Sequence, residues 1–188
     1  MKTLALFDFD GTLYKKDSLI GFTKYYKGNA VFYKGILTLL PFLLGMKLGI
    51  LFNEKTKKRY MTHFFKNEEY SVFKKKAELF ALTKIEKDLN PQILLYLKNH
   101  LNSKHDVYIV TASFPEWIEP WSKKYNIKVI GTRLEVLNNI ITGEFNSKNC
   151  YGKEKVNRIN EVLDLEKFDT IYVYGCGKGD REMLELKK

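Results

Sequence analysis

The residues of this chain best placed to do chemistry lie in Asp8-Phe9-Asp10-Gly11-Thr12-Leu13, at the end of its first apolar run. Thr3 to Phe9 reads as a short buried strand, because the run is apolar, strand-length and stopped by a turn-forming Asp-Gly. Carboxylates two residues apart on a strand share a face, so Asp8 and Asp10 are predicted to enter one crevice where the strand ends. Two acids there can hold a divalent cation, and one can act as a nucleophile while the other handles protons. Placing like charges side by side is otherwise costly and suggests a purpose, although an isolated Asp-x-Asp reads better as an incidental acidic surface turn. The six-residue string, its place straight after an apolar strand and the later elements change those odds.

Later segments supply complementary groups. Thr111 ends a second apolar strand in Val110-Thr111-Ala112-Ser113, where a hydroxyl and free backbone amides ahead of Pro115 can cradle a phosphate; an ordinary helix N-cap at Ser113 explains the local pattern equally well. Asn149-Cys150-Tyr151-Gly152-Lys153-Glu154-Lys155 opens a helix, and a lysine there can neutralise charge developing in a transition state. Gly175-Cys176-Gly177-Lys178-Gly179-Asp180 follows another apolar strand and brings a further carboxylate.

The elements that must position these groups follow from periodicity. Residues Ser18 to Lys84 lack strand alternation and repeat apolar groups at three- and four-residue spacing, as in Phe22, Tyr25 and Tyr26, or Phe73, Ala77, Phe80 and Ala81. This stretch is predicted to be a small domain of three or four helices with an aromatic core of its own. From Asn90-Pro91 the pattern changes to a helix carrying Ile93, Leu94, Leu97 and Leu101 on one face, a strand at Val107–Val110, and a helix opened by Pro115. A strand at Lys128–Ile130, a hairpin around Asn138-Asn139, a helix from about Glu154 to Leu163 and a strand at Thr170–Tyr174 complete it. Alternating strands and helices of these lengths predict an α/β fold with a parallel sheet covered on both faces. Ligands of such sheets bind beyond the carboxyl ends of the strands, where the candidate residues fall.

Taken in order, the four motifs resemble those of the haloacid dehalogenase superfamily, the aspartate-nucleophile phosphatases. The first motif is the most specific. The third, with its lysine three residues after the glycine, points to Lys155, with Lys153 as the alternative. The fourth usually reads Gly-Asp-x-x-x-Asp; Asp180 matches its second acid, but Cys176 stands where the first is expected, and a thiol is a poor ligand for Mg²⁺. Cys176 can equally be a small, half-buried packing residue. The resemblance implies a Rossmann-like core over residues 1–14 and 85–188, and a helical cap over 15–84, the position it takes in the branch containing phosphoserine phosphatase and a phosphatidylglycerophosphate phosphatase. Thr132-Arg-Leu-Glu-Val and Ile141-Thr-Gly-Glu-Phe also resemble that branch. Relatives usually continue further past the fourth motif, so the resemblance implies a further strand or helix after Lys188.

As activity, the resemblance implies Mg²⁺-dependent phosphomonoester hydrolysis. Asp8 would be the nucleophile and Asp10 the acid and base. Lys155 with Thr111, Ala112, Ser113 and Gly11 would contact the phosphoryl group, and Asp8, Asp10 (through its carbonyl) and Asp180 would hold the metal. The competing expectation, from Cys176, is a weak or inactive phosphate-ligand binder on the same fold.

Composition narrows the partners. An apolar content of 45% and a charged content of 29% suit a globular chain long enough for one well-buried core. Two cysteines cannot build a disulfide framework, and with no signal peptide at the start the expected location is cytoplasmic. His63, His100 and His105 fall on polar helix edges and read as solvated. The net charge of +10 resides wholly between Lys15 and Lys84, where 15 Lys or Arg face 5 Asp or Glu. That favours an anionic substrate, a small metabolite or a lipid phosphate, or an anionic surface; with no accompanying binding motif, nucleic acid is not expected. Gly35 to Phe52 is a largely apolar stretch, read either as a buried cap helix or as a lipid-facing helix pair ringed by lysines at the membrane's inner face.

Overall fold

The computed structural model describes residues 2–47 and 53–188. Among them β1 (Thr3–Phe7), β2 (Asp106–Val110), β3 (Lys128–Ile130) and β6 (Thr170–Tyr174) form one parallel sheet in the order β3-β2-β1-β6. A separate antiparallel hairpin joins β4 (Leu134–Leu137) to β5 (Ile140–Phe145). Its turn residues Asn138 and Asn139 have φ of 50° and 64°, the left-handed pair that a tight hairpin demands and that asparagine tolerates.

Alternation along the strands divides the core in two. Ala5, Phe7, Val107 and Ile109 enter one apolar cluster, and Leu4, Leu6, Tyr108 and Val110 enter the other. Both sheet faces are therefore covered, which is why these strands read as continuous apolar runs. The chain builds outward from β1 to β2 and β3, then returns to place β6 on the other side of β1. The reversal around β1 opens a crevice at the carboxyl ends of these strands.

Four helices, α1 (Ser18–Lys27), α2 (Asn29–Lys47), α3 (Asn53–Phe65) and α4 (Tyr70–Thr83), are inserted between β1 and α5 (Pro91–Asn102). The Asp17 side chain caps α1 by accepting from Ile20 N at 2.9 Å, and Asn90 caps α5. Contrary to the expectation from sequence, the aromatics of these helices do not form a core of their own. Phe22 stacks on Trp117 with ring centroids 4.7 Å apart, and one cluster runs from there to Phe7 and Phe9. Sharing one sheet face removes more apolar surface from water than two small separate cores can. The β4–β5 hairpin fastens α3 to the sheet domain, with Gly143 at φ +89° against Thr62; a Cβ there would come within 2.7 Å of the Thr62 Cα.

Other expectations also need correction. The helix opened by Pro115 is broken into a 3₁₀ turn, Pro115–Trp117, and a single turn, α6 (Glu119–Ser122), because Pro120 lacks the amide a continuous helix requires. His100 is buried rather than solvated. It bonds Tyr174 Oη at 2.9 Å and His105 Nδ1 at 2.7 Å, since α5 lies over the sheet next to Phe7. Residues 48–52 of the apolar stretch lie outside the described residues. The rest of that stretch belongs to α2, which buries Phe32 and Leu39 and exposes Leu37 and Leu44, so it is neither wholly internal nor wholly external. No helix among the described residues is long and apolar enough to cross a membrane.

Glu116 offers a stability test. Burial, assisted by the neighbouring Glu119, pushes its carboxyl up to about 7, and its Oε2 finds no hydrogen-bond partner among the described residues. The folded state therefore holds a proton that the unfolded chain has lost, and stability falls as pH rises from the ordinary glutamate range through 7. Glu116→Gln is expected to stabilise the protein by about 1–3 kcal/mol at pH 8 and by almost nothing below pH 4.5. Thermal unfolding at the two pH values checks this, at roughly 2–4 °C per kcal/mol.

Candidate active site

The turns after β1, β2 and β6 and the start of α7 (Lys153–Asn160) converge on a cavity of about 450 Å³ between the sheet and the inserted helices. Asp8, Thr111, Lys155 and Asp180 form its floor; Ile36, Leu43, Lys57 and Tyr60 of α2 and α3 contribute the opposite wall. Asp8 is no longer on the strand, which ends at Phe7, so its approach to Asp10 comes from a turn and not from strand alternation. Gly11, at φ +79°, makes that turn possible.

Lys155 organises the floor. Its Nζ donates to Asp8 Oδ1 at 2.6 Å, to Asp180 Oδ1 at 2.6 Å and to Val110 O at 2.9 Å, which uses all three ammonium protons. Burial pulls the lysine down, but the two carboxylates outweigh it and hold the ammonium above its usual range. Burial likewise pushes Asp8 up, opposed by the Lys155 charge, and Thr12 Oγ1 donates to its Oδ2 at 2.8 Å. The second oxygen of Asp180 accepts from Gly177 N at 2.8 Å and Cys176 N at 3.1 Å. Gly175 permits this close turn, since a Cβ there would stand 2.8 Å from the Asp180 side chain. Lys153, the alternative lysine, begins α7 exposed and away from these groups, whereas Lys155 is one of the most buried side chains in the protein.

Asp10 has different partners. Its carboxyl accepts from Ser18 N at 2.8 Å and Ser18 Oγ at 3.1 Å, and burial with the Asp17 charge pushes it up to about 7. Ser18 Oγ also receives Trp117 Nε1 at 3.0 Å and lies 2.9 Å from Ser113 Oγ, so the first turn of α1 is wired to two of the site's loops.

The expected phosphate cradle is partly occupied. Ser113 lines the cavity, but its amide donates to Thr111 Oγ1 at 3.0 Å, and its hydroxyl pairs with Ser18. The Thr111 hydroxyl keeps its own proton to donate into the cavity. Ala112 lines the cavity too, and its carbonyl accepts from Thr132 Oγ1 at 2.6 Å. The Gly11 amide is committed to Tyr14 O at 2.7 Å, so this glycine shapes the turn and is not placed to cradle a phosphate.

One residue was missed by motif reading. Lys57 of α3 enters the cavity, donating to Ala112 O and, at 3.0 Å, to Asn149 Oδ1, with its ammonium 4.4 Å from the Phe114 ring centroid. Burial lowers it to about 8. Helical spacing carried the signal: Lys57 falls three, four and seven residues before Tyr60, Met61 and Phe64, on the inward face of α3.

The donors suit a hard cation. Two carboxylates, Asp8 and Asp180, are drawn onto one ammonium, and Mg²⁺ is commonly held by one or two carboxylates together with water and substrate phosphate. Among the described residues no three His, Cys, Asp or Glu side chains cluster tightly enough to cage a metal alone. Cys176 is exposed rather than half-buried, on the turn whose amides bond Asp180; its Sγ lies 3.3 Å from Gly11 O and 3.5 Å from Thr12 Oγ1.

Comparison with known proteins gives consistent results. The sequence profile described as haloacid dehalogenase-like hydrolase matches residues 5–185. Protein CicA of Caulobacter vibrioides is 31% identical over 97% of this chain and 82% of that protein. A Bordetella pertussis Tohama I protein of unknown function superposes with a TM-score of 0.83 at 22% identity, covering 100% of this chain and 87% of the other. A phosphoserine phosphatase in its apo form has a TM-score of 0.69 at 16% identity, covering 100% and 84%.

Proposed function

The chain belongs to the haloacid dehalogenase-like hydrolase family, with the fold of its phosphoserine phosphatase-like members, and we propose that it is a phosphomonoester hydrolase acting through an aspartyl-phosphate on Asp8. The observation that carries this reading is the Lys155 ammonium holding Asp8 Oδ1 and Asp180 Oδ1 at 2.6 Å each on the floor of the cavity. Asp8 Oδ forms a bond to phosphorus as the ester oxygen leaves, and Asp10 gives that oxygen a proton. Asp10 then takes a proton from the water that cleaves the acyl phosphate, releasing inorganic phosphate and restoring Asp8. A carboxyl near 7 can serve both steps at neutral pH. The Thr111 hydroxyl donates to a phosphoryl oxygen, and the Lys155 ammonium, its protons shared among Asp8, Asp180 and Val110, supplies fixed positive charge beside it. Lys57 brings a further cation to the cavity from the inserted helices.

Asp8, the Asp10 carbonyl and Asp180 would hold Mg²⁺, which when bound draws negative charge off the phosphoryl oxygens. The substrate is a phosphomonoester, either a small metabolite or a lipid phosphate, and the cationic helices favour its anionic form. The site of action is proposed to be the cytoplasm, in keeping with two free cysteines, Cys150 and Cys176. Hydrolysis of an aryl phosphate, with and without Mg²⁺ and a chelator, tests the proposal. Turnover that requires Mg²⁺ is expected, and silence in every arm would overturn it.

A second reading, a phosphate-ligand binder with little turnover, is favoured by Cys176 alone. Cys176→Asp adds a hard oxygen donor beside Asp180 and is expected to raise apparent Mg²⁺ affinity by about tenfold or more. If the natural chain is inactive and this substitution by itself creates turnover, the binder reading replaces the enzymatic one.

A further inference from the structure

Helix α2 leaves a row of apolar side chains in solvent. Tyr33, Leu37, Leu40 and Leu44, spaced by four, three and four residues, are 60%, 71%, 41% and 50% exposed. At a hundred degrees per residue they occupy one narrow stripe, about 16 Å long at the helical rise. The adjoining row of the same helix, Ile36 and Leu43, lines the catalytic cavity, and Phe32 and Leu39 are buried behind it. One helix thus presents grease both to the cavity and, next to it, to the outside.

Cations stand at one edge of the stripe and on the far face of the same helix. From α1, Lys24 Nζ lies 4.8 Å from the Phe32 ring and 5.2 Å from the Tyr33 ring. From α3, the Arg59 guanidinium sits 3.7 Å from the Phe42 ring, and Lys55, Lys58, Arg59 and His63 line a groove of about 540 Å³ between α2 and α3. Glu144 also lines that groove, where Lys58 engages it at 3.2 Å. Lys34 lies exposed on α2 itself. This is the stretch in which the whole net charge of +10 resides.

We propose that the exposed stripe of α2, with Lys24 and Lys34 beside it and the positive charge of the surrounding helices, docks this protein onto the surface of an anionic phospholipid membrane. An apolar row on a strongly cationic helical face matches an interface whose headgroups are negative and whose acyl boundary is apolar. A second copy of the chain fits less well, because it would bring the same positive charge against itself. The helix lies in the interface and does not span it. Docking this way places the cavity mouth beside the lipid, where a phosphorylated lipid can reach Asp8; that last step rests on the catalytic reading, whereas docking does not.

Flotation of the full chain on vesicles tests the surface. It is expected to float with phosphatidylglycerol mixed into phosphatidylcholine, to stay behind with phosphatidylcholine alone, and to be released by high salt. The double variant Leu37→Glu with Leu40→Glu should lose at least about tenfold in vesicle affinity. Its unfolding midpoint and its hydrolysis of a soluble aryl phosphate should match those of the natural chain. Failure of the natural chain to float, or undiminished binding by the variant, overturns the proposal. So does a dimer in sedimentation that the double variant dissolves, since the stripe then belongs to a second copy. Flotation without any phosphatase activity would leave docking intact and remove only the enzymatic reading.

Discussion

Asp8→Asn is expected to lower phosphatase turnover by at least about 10³–10⁴-fold, because an amide oxygen cannot form the acyl phosphate on which the proposed reaction depends. The fold should survive. Asparagine keeps the shape of the side chain: its oxygen can accept from Lys155 Nζ, as Asp8 Oδ1 does at 2.6 Å, while its amide nitrogen donates to Thr12 Oγ1, now 2.8 Å from Oδ2. Lys155 retains Asp180 and Val110 O as partners. Phosphate binding should persist, since Lys155, Thr111 and Lys57 are untouched. Steady-state kinetics on an aryl phosphate together with calorimetric titration of inorganic phosphate separates the two properties. Unchanged turnover would remove Asp8 as nucleophile, whatever the binding result.

Lys155→Met should damage both chemistry and stability. Without the ammonium, the phosphoryl group loses a fixed positive charge in a dry site, a loss of about 10²–10³-fold in turnover by comparison with other single electrostatic donors. Asp8 and Asp180, both almost fully buried, would face each other with no cation between them. Removing one partner of a buried ionic cluster costs about 3–5 kcal/mol, so the unfolding midpoint should drop by roughly 6 °C or more. The sign of the pH dependence follows from the same groups. The Asp8 carboxyl, which burial pushes up and which would lose the opposing Lys155 charge, would take up a proton more readily than in the unfolded chain, so the deficit should shrink as pH falls below neutrality. A variant that is inactive but as stable as the natural chain at every pH would mean that the three-way contact is not what holds the floor together.

Much of this was legible in the sequence, and the reason differs between elements. Strands such as Lys128–Ile130 and Thr170–Tyr174 were readable to the residue, because β-branched and aromatic residues fill them even though both lie at the sheet's edges and stay partly exposed. The Asn138-Asn139 hairpin was readable because left-handed backbone at both turn positions restricts the residue types allowed. Asp8, Lys155 and Asp180 were legible as candidates from motif order and from their positions at element ends. Less visible was Lys57, which stands among Lys55, Lys58 and Arg59 and differs from them only in the face of α3 it occupies. His100 reads as polar in sequence, and only the packing of α5 over the sheet makes it a buried partner of Tyr174.

Sequence alone therefore determined the class of fold, the order of its elements and the residue types brought to the strand ends, since these depend on local periodicity and turn chemistry. Tertiary structure alone decided which donors remain open. The Ser113 amide is taken by Thr111, the Gly11 amide by Tyr14, and the Lys155 ammonium is shared among Asp8, Asp180 and Val110. It likewise decided that α2 turns one apolar row to the cavity and the next to solvent. Hydrogen-bond partners and buried faces arise from segments far apart along the chain, and no local pattern specifies which of them will meet.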